Sequence, residues 1–205
     1  ILIKKLNKKK VLIKKPEPSK VFWYGESNLG SSFDETEIKA VTDVLKNSNH
    51  WSKGLISKSN EVQIFEKNLA KFCNVKYAIA LTNGGAGLEL ALRSLNLTQG
   101  DEVICPAVNF KAAHMAILDR GAKVIFCDIN PITLNIDCKD LENKISSRTR
   151  AIIPVHLTGL PAPIDEINQI AKKYKNLKHG SPKIIYDGCR ALGAEYKGRP
   201  IGKYG

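Results

Sequence analysis

A carboxylate, Asp187, stands at the end of the apolar run "KIIY", and small residues follow it at once in "DGCRALGA". A carboxylate is costly to remove from water, so one placed at the end of a buried strand needs a cationic partner. Arg190, three residues later, is a partner close at hand in the sequence. A bound cation is the alternative, and residues at the other predicted strand ends bear on that choice.

Glycines open a predicted helix in the segment "LTNGGAGLELAL", at Gly84, Gly85 and Gly87. Backbone N–H groups can close on an anion where side chains are missing, and a helix that starts near Ala86 directs its positive dipole end to the same place. The segment contains neither G-x-G-x-x-G nor G-K-[ST], so dinucleotide and Walker-type sites are weak interpretations. A phosphate site at Gly84, Gly85 and Ala86 and a purely structural turn both remain possible.

Two more candidate residues follow predicted strands. Phe110 stands where "CPAVNF" leads into the next helix, and its ring can stack on a planar ligand, although a core position is the commoner role for a phenylalanine. His156 follows "IIPV", either as a ligand contact or as a residue that hydrogen-bonds its own loop.

Short apolar runs alternate with helical segments between residues 77 and 186. The runs predicted as strands are "YAIAL", "EVIC", "KVIFC", "AIIPV" and "KIIY". Runs that are apolar on both faces are typical of a parallel sheet covered by helices. The sequence therefore predicts an α/β fold with a mostly parallel sheet sandwiched by helices, in which right-handed crossovers bring the carboxyl ends of the strands to one ligand-binding edge.

Two helices are predicted before this alternation. The first lies in "SSFDETEIKAVTDVLKN", where Ser32 and Glu35 have the spacing of a capping box. The second has apolar residues at helical spacing from Val62 to Phe72.

The net charge of +12 is concentrated at the start of the chain, where residues 1–20 contain eight lysines and one glutamate. Without interleaved aromatic residues or a nucleic-acid motif, this composition favours a solvated basic arm, residues 1–24, over a tail that binds polyanions or a membrane surface. Residues 25–205 are predicted to belong to one domain. We expect no nucleic-acid partner.

The chain contains no apolar run near the roughly 20 residues that cross a bilayer, and lysines interrupt the start "ILIKKLNKKKVLIKK". These features predict a cytoplasmic protein without a membrane partner. The five cysteines form no C-x-x-C pair and the four histidines are dispersed, which predicts reduced thiols and no metal site.

The strand ends together suit a ligand with a phosphate, a flat ring and a use for an opposing carboxylate. Pyridoxal phosphate has all three features, because a facing carboxylate keeps its ring nitrogen protonated, whereas NAD or ATP would leave Asp187 without that role. Residues from about 25 to 205 resemble the amino-terminal half of the DegT/StrS-type nucleotide-sugar aminotransferases, which are pyridoxal-phosphate enzymes of fold type I. The resemblance rests on the ordered motifs "LTNGGAGLELAL", "GDEVICPAVNF", "DINPITLNID", "SSRTRAIIPVHLTGLPAPIDEI" and "YDGCRALGAEYKGRPIG".

The resemblance implies that Asp187 pairs with the pyridine nitrogen, that Phe110 stacks on the ring, and that the Gly85 and Ala86 amides hold the phosphate. The family usually has Thr-Ala where this chain has Gly85-Ala86. More of the phosphate contact must then come from backbone amides.

Arg190 stands where many members carry Gln or His, and is expected to contact the cofactor or the substrate. The loop "NHWSKGLISKS" corresponds to a region near the site in relatives. Ser52 of that loop is therefore a candidate substrate contact, while Trp51 is interpreted as a packing residue. His156, at its strand end, is the other candidate substrate contact.

The implied activity is transfer of an amino group from an amino acid, with glutamate as the expected donor, to a keto-sugar attached to a nucleotide, in a homodimer. The Schiff-base lysine of the family lies in a later segment, beyond Gly205, and neither Lys197 nor Lys203 is nominated because both lie in a polar, hairpin-like stretch.

Two alternatives to this activity stay open. Some relatives carry His in place of that lysine and dehydrate a sugar with pyridoxamine phosphate, and a chain that ended naturally at Gly205 would be a non-catalytic or regulatory domain.

Overall fold

The computed structural model describes residues 33–48 and 60–204. The chain divides into two compact units, residues 1–57 and 58–205. The predicted basic arm, residues 1–24, lies outside the described residues, as do Trp51 and Ser52.

Helix α1 (Glu35–Ser48) is the described part of the first unit. Asp34 caps it, since its Oδ1 accepts a hydrogen bond of 2.7 Å from the Thr36 amide. Glu37 Oε2 in turn accepts one of 2.9 Å from the Asp34 amide. This reciprocal pair is a capping box at Asp34 and Glu37. Ser32, which the sequence analysis placed in a capping box with Glu35, lies outside the described residues.

A four-stranded parallel sheet forms the centre of the second unit. Its strands are β1 (Glu102–Pro106), β2 (Lys123–Cys127), β3 (Thr149–Ile152) and β4 (Lys183–Ile184). They are ordered β2-β1-β3-β4 and every neighbouring pair is parallel. The predicted parallel sheet is confirmed.

The described residues of the second unit also form five α-helices and a hairpin. They are α2 (Asn60–Phe72), α3 (Gly84–Arg93), α4 (Lys111–Leu118), α5 (Cys138–Lys144), α6 (Ile164–Lys173) and the antiparallel pair β5 (Glu195–Tyr196) and β6 (Arg199–Pro200). Each helix falls in a segment that the periodicity predicts as helical, and the polar hairpin is also confirmed.

The run 77–81, predicted as the first strand, is not a strand in this structure. Tyr77 and Ile79 are each 73% exposed, and the Ala80 amide donates to the Glu66 side chain at 3.0 Å instead of to a neighbouring strand. A segment with strand propensity forms a strand only where a neighbouring strand offers it backbone hydrogen bonds. No described residue offers such hydrogen bonds to residues 77–81.

Alternation along the strands gives the sheet two apolar faces. Val103 and Cys105 of β1 belong to the cluster that includes α3 and α4, whereas Ile104 between them belongs to the cluster of α5 and α6. On β3, Ala151 and Ile152 divide in the same way. Because side chains of a strand alternate between faces, helices cover the sheet on both sides and leave its strand ends as the polar edges.

Acidic residues at the amino-terminal edge of the sheet are paired with arginines. Glu102 Oε1 lies 2.7 Å from Arg148 Nη2, and Asp101 Oδ2 lies 2.6 Å from Arg150 Nη1. Burial opposes the ionisation of Asp101, but the hydrogen bonds from Thr98 and the charge of Arg150 outweigh it and lower its pKa. The buried acids at this edge therefore have their countercharges within the protein.

Leu92 and Leu90 of α3 offer a matched test of the core. Leu92 is fully buried, whereas Leu90 is 48% exposed. We expect Leu92→Ala to lower the free energy of unfolding by about 2–5 kcal/mol, because it leaves a cavity beside the sheet, and Leu90→Ala by less than about 1 kcal/mol. Urea unfolding followed by circular dichroism measures both, and equal losses would contradict the assignment of the core face.

Candidate active site

Backbone pairing places Asp187 at the carboxyl-terminal edge of the sheet. Its amide donates to Pro154 O at 2.9 Å, and its carbonyl accepts from the His156 amide at 2.9 Å. A parallel bridge joins Val155 to Asp187 beyond the ends of β3 and β4. The carboxylate is therefore positioned by the same kind of hydrogen bonding that builds the sheet.

The Asp187 carboxylate is buried, with 9% of the residue exposed. Its Oδ1 accepts a hydrogen bond of 3.1 Å from the Cys189 amide. Arg190, the partner suggested by sequence proximity, is exposed, and none of the ion pairs within residues 33–48 and 60–204 involves Asp187. This part of the chain thus leaves a buried carboxylate without a countercharge.

A cavity of about 80 Å³ adjoins Asp187 and brings four of the predicted residues together: Phe110, His156, Asp187 and Arg190 all line it. Phe110 is 72% exposed, so the alternative of a core phenylalanine is wrong. It immediately precedes α4, and its amide donates to Asn109 Oδ1 at 2.6 Å. The cavity therefore combines an available aromatic face with an acidic group.

Helix α3 begins at Gly84, and Asn83 caps it. Asn83 Oδ1 accepts a hydrogen bond of 2.9 Å from the Ala86 amide, and Asn83 O accepts one of 3.3 Å from the Gly87 amide. Ala86, which the resemblance assigns to the phosphate, therefore already has an acceptor. The amides of Gly84 and Gly85 have none among the described residues, and these are the two donors available to an anion.

A Cβ at either of these two positions would approach a neighbouring side-chain atom closely. A Cβ on Gly84 would lie 2.6 Å from Cys189 Sγ, and a Cβ on Gly85 would lie 3.1 Å from Asn83 Oδ1. Cys189 therefore packs against the start of α3 while its amide holds the carboxylate of Asp187. This packing joins the glycine turn to the acidic end of the cavity.

Cys189 and Asn83 are two site residues that sequence reasoning missed. Asn83 had a recognisable signal, because asparagine directly before a helix is a favoured cap. Cys189 had none, since its contact with Gly84 joins positions more than 100 residues apart in the chain. A hydrogen bond with Asp187, together with partial burial, raises the pKa of the Cys189 thiol.

His156 is buried, with only 1% exposed, and its Nδ1 accepts a hydrogen bond of 2.9 Å from the Ala162 amide. The predicted alternative of a hydrogen bond within the loop is thus the one that the structure shows. The ring stacks on Tyr186 with centroids 5.1 Å apart and planes 10° from parallel. Burial lowers the pKa of His156, with the charge of Asp187 acting in the opposite direction, so the imidazole is neutral at pH 7.

Lys197 of the hairpin is exposed and forms an ion pair with Asp165 at the start of α6. That contact engages its ammonium group with a carboxylate outside the residues lining the cavity. The structure is consistent with leaving Lys197 out of the candidate site.

In the described part of the chain, no cluster of three or more His, Cys, Asp or Glu residues has a geometry able to hold a metal ion. None of its helices has both the length and the apolar character needed to cross a membrane.

Known proteins resemble this chain over most of its length. GDP-perosamine synthase of Escherichia coli O157:H7 is 38% identical over 75% of this chain and 41% of its own length. A putative sugar aminotransferase from Streptococcus pneumoniae, solved in its PMP-form, superposes with a TM-score of 0.76 and 31% identity over 83% of this chain and 43% of that one.

A GDP-4-keto-6-deoxy-D-mannose-3-dehydratase from E. coli, solved with bound hydrated PLP, superposes with a TM-score of 0.71 and 30% identity, covering 82% of this chain and 42% of that one. The chain therefore spans about two fifths of the length of the relatives it matches. A family model matches residues 31–205. On that match, the chain belongs to the DegT/DnrJ/EryC1/StrS aminotransferase family.

Proposed function

We propose that the intact protein is a pyridoxal-phosphate-dependent aminotransferase that moves an amino group from an amino acid, glutamate being the expected donor, to a nucleotide-linked keto-sugar. The observation that carries the proposal is the buried Asp187 carboxylate, which has no countercharge among the described residues and lies beside an exposed phenylalanine ring. The similarity to the putative sugar aminotransferase from Streptococcus pneumoniae supports it. As in the resembling family, we propose a homodimer.

The residues around the cavity fit this cofactor. Asp187 would face the ring nitrogen, Phe110 would cover one face of the ring, and the amides of Gly84 and Gly85 would bind the phosphate. The Ala86 amide already donates to Asn83 Oδ1 at 2.9 Å. It would therefore contact the phosphate only by sharing this hydrogen bond between two acceptors. When bound, pyridoxal phosphate supplies an electron sink that stabilises negative charge on the substrate carbon next to the amino nitrogen.

Asp187 contributes by keeping the ring nitrogen protonated. The Cys189 amide holds Oδ1 of the carboxylate, so little reorganisation is needed when a cation arrives. Burial strengthens the attraction between the carboxylate and a pyridinium, because the surroundings screen charge less than water does. Each unit by which the pKa of the ring nitrogen rises corresponds to about 1.4 kcal/mol in favour of the protonated ring.

The start of α3 contributes fixed donors. Two amides without acceptors at Gly84 and Gly85 and the positive end of a ten-residue helix favour a dianionic phosphate. Gly85 offers no hydroxyl group, unlike the threonine usual in the resembling family, so backbone N–H groups must hold the phosphate here.

Arg190 is one of the residues that line the cavity. It is exposed and is absent from the ion pairs in the described ranges. A guanidinium in this position suits an anionic group of the cofactor or the carboxylate of the amino donor, because its planar fork matches oxygen pairs. His156 cannot contact a sugar directly while it is buried, and Ser52 keeps its proposed role as a substrate contact.

A second candidate function is dehydration of a nucleotide-linked keto-sugar with pyridoxamine phosphate. The similarity to a GDP-4-keto-6-deoxy-D-mannose-3-dehydratase favours this alternative. Both functions need Asp187, Phe110 and the glycine turn, so these residues do not separate them. Mass spectrometry of the products does, since transamination gives an amino-sugar and a keto acid, whereas dehydration removes water from the sugar.

Asp187→Ala tests the proposed function. We expect the variant to lose transamination of a nucleotide-linked keto-sugar by at least about 100-fold, because an unprotonated ring is a poor electron sink. Asp187→Glu is the matched control, since it keeps the charge and should retain more activity than the alanine variant. Mass spectrometry of the amino-sugar product measures turnover of both variants, and wild-type turnover in Asp187→Ala would exclude the proposed role.

Gly84→Ala tests the geometry of the glycine turn. Its new methyl group would meet Cys189 Sγ at 2.6 Å, so we expect affinity for pyridoxal phosphate to fall about tenfold or more. Adding Cys189→Ala removes the sulfur atom and should restore part of that loss. Gly87→Ala is the control, because its Cβ would lie 3.7 Å from Leu81 Cδ1, an ordinary contact. Equal affinities in all three variants, measured by absorbance titration, would contradict the predicted close approach.

A further inference from the structure

A short turn, Leu157–Gly159, lies beyond the carboxyl end of β3 and forms part of the wall of the Asp187 cavity. Its first two residues line that cavity. A Cβ on Gly159 would lie 3.3 Å from Arg190 O, so the turn also lies against the backbone of the segment that follows Asp187. The position of this turn therefore affects two sides of the candidate site.

The turn has a backbone conformation that needs support from its surroundings. Thr158 has φ 53° and ψ 23°, in the left-handed region. Among the described non-glycine residues with positive φ, it is the one with a β-branched side chain. Such a side chain is strongly disfavoured there, and the conformation persists only where other contacts hold it. The hydrogen bond of 2.7 Å from Thr158 Oγ1 to Leu157 O lies within the turn, so it does not attach the turn to the rest of the protein.

Asn135 supplies hydrogen bonds to both ends of this turn. Its Oδ1 accepts one of 3.1 Å from the Leu157 amide. Its Nδ2 donates to Leu160 O at 3.1 Å and to Pro161 O at 3.3 Å. Asn135 is only 3% exposed and is not among the residues that line the cavity. The side-chain amide thus uses its oxygen and its donors on the chain on either side of Thr158, from outside the site.

The backbone that carries Asn135 is itself fixed. The Asn135 carbonyl accepts a hydrogen bond of 2.9 Å from the Asn130 amide, and an antiparallel bridge joins Ile129 to Ile136. Ile136 is 2% exposed and belongs to the cluster of α5 and α6. The hydrogen bonds of Asn135 therefore connect the turn to the core, which gives the motif "DINPITLNID" a role that the proposed function leaves open.

We propose that Asn135 is a positioning residue of the candidate site, whose side-chain amide holds the turn Leu157–Gly159 against the backbone of Arg190 and so keeps the cavity wall in its ligand-binding form. Without this amide, two carbonyls and one N–H group lose their partners, and the strained backbone of Thr158 can relax. A relaxed turn must be ordered again when the ligand binds, which weakens binding. The inference rests on the proposed function in one respect, namely that pyridoxal phosphate occupies the cavity.

Asn135→Leu removes the amide at a similar side-chain volume. We expect it to weaken binding of pyridoxal phosphate to the intact protein about five- to tenfold. Leu92→Ala is the control, because it destabilises the core on the sheet face opposite to Ile136 and should leave the Kd within about twofold of wild type. Absorbance titration gives the Kd, and thermal denaturation shows how far each variant is destabilised. Wild-type affinity in Asn135→Leu, or equal losses in both variants, would overturn the proposal.

Gly159→Ala moves the same turn without touching Asn135, and so serves if Asn135→Leu does not fold. Its new methyl group would meet Arg190 O at 3.3 Å, at a φ of 89°, and we expect binding of pyridoxal phosphate to weaken about threefold or more. Gly180→Ala is the matched control, since Gly180 has a φ of 77° and an added Cβ would have no atom within 4 Å. Unchanged affinity in Gly159→Ala, or equal losses in the two alanine variants, would overturn the proposal.

Hydrogen exchange followed by mass spectrometry provides a readout that needs no cofactor. In the intact protein, we expect the amides of residues 157–162 to exchange at least about tenfold faster in Asn135→Leu than in the wild type, and at nearly the wild-type rate in Leu92→Ala. Unchanged exchange in Asn135→Leu would overturn the proposal. A failure of the wild-type protein to bind pyridoxal phosphate would instead contradict the proposed function, and exchange would still test the role of Asn135.

Discussion

Burial of the Asp187 carboxylate is the constraint around which the site is organised. The same sheet buries Asp101 and Glu102 at its opposite edge, and each of them has an arginine within 2.7 Å. Asp187 is buried to a comparable degree without such a partner among the described residues. Since an isolated buried charge is unfavourable, we propose that the countercharge of Asp187 comes from a ligand.

The geometry around Asp187 depends on the parallel sheet beneath it. Hydrogen bonds to Pro154 and from His156 extend the pairing of β3 and β4 as far as the acid. Cys189 then connects the acid to the start of α3 through its amide and its sulfur atom. An anion bound at the glycine turn and a cation bound at Asp187 would therefore be held by two rigid elements in contact with each other.

The sequence predicts the parts of this arrangement that depend on local pattern. The alternation of apolar runs and helical segments indicates the parallel sheet, and position at strand ends identifies Phe110 and Asp187. Contacts between distant segments are not predictable in this way. The hydrogen bond from Ala86 to Asn83, the packing of Cys189 on Gly84 and the absence of a ladder for residues 77–81 all depend on which segments become neighbours in space. His156 shows the same limit, because its sequence position does not reveal whether its ring turns toward the ligand or into the loop.

The central claim is that Asp187 faces the ring nitrogen of pyridoxal phosphate and keeps that nitrogen protonated. The most direct measurement is the ¹⁵N chemical shift of ring-labelled pyridoxal phosphate bound to the intact protein near neutral pH. We predict the shift of a protonated pyridinium in the wild-type protein and that of an unprotonated ring in Asp187→Ala. An unprotonated ring nitrogen in the wild type, or a protonated one in both proteins, would contradict the account.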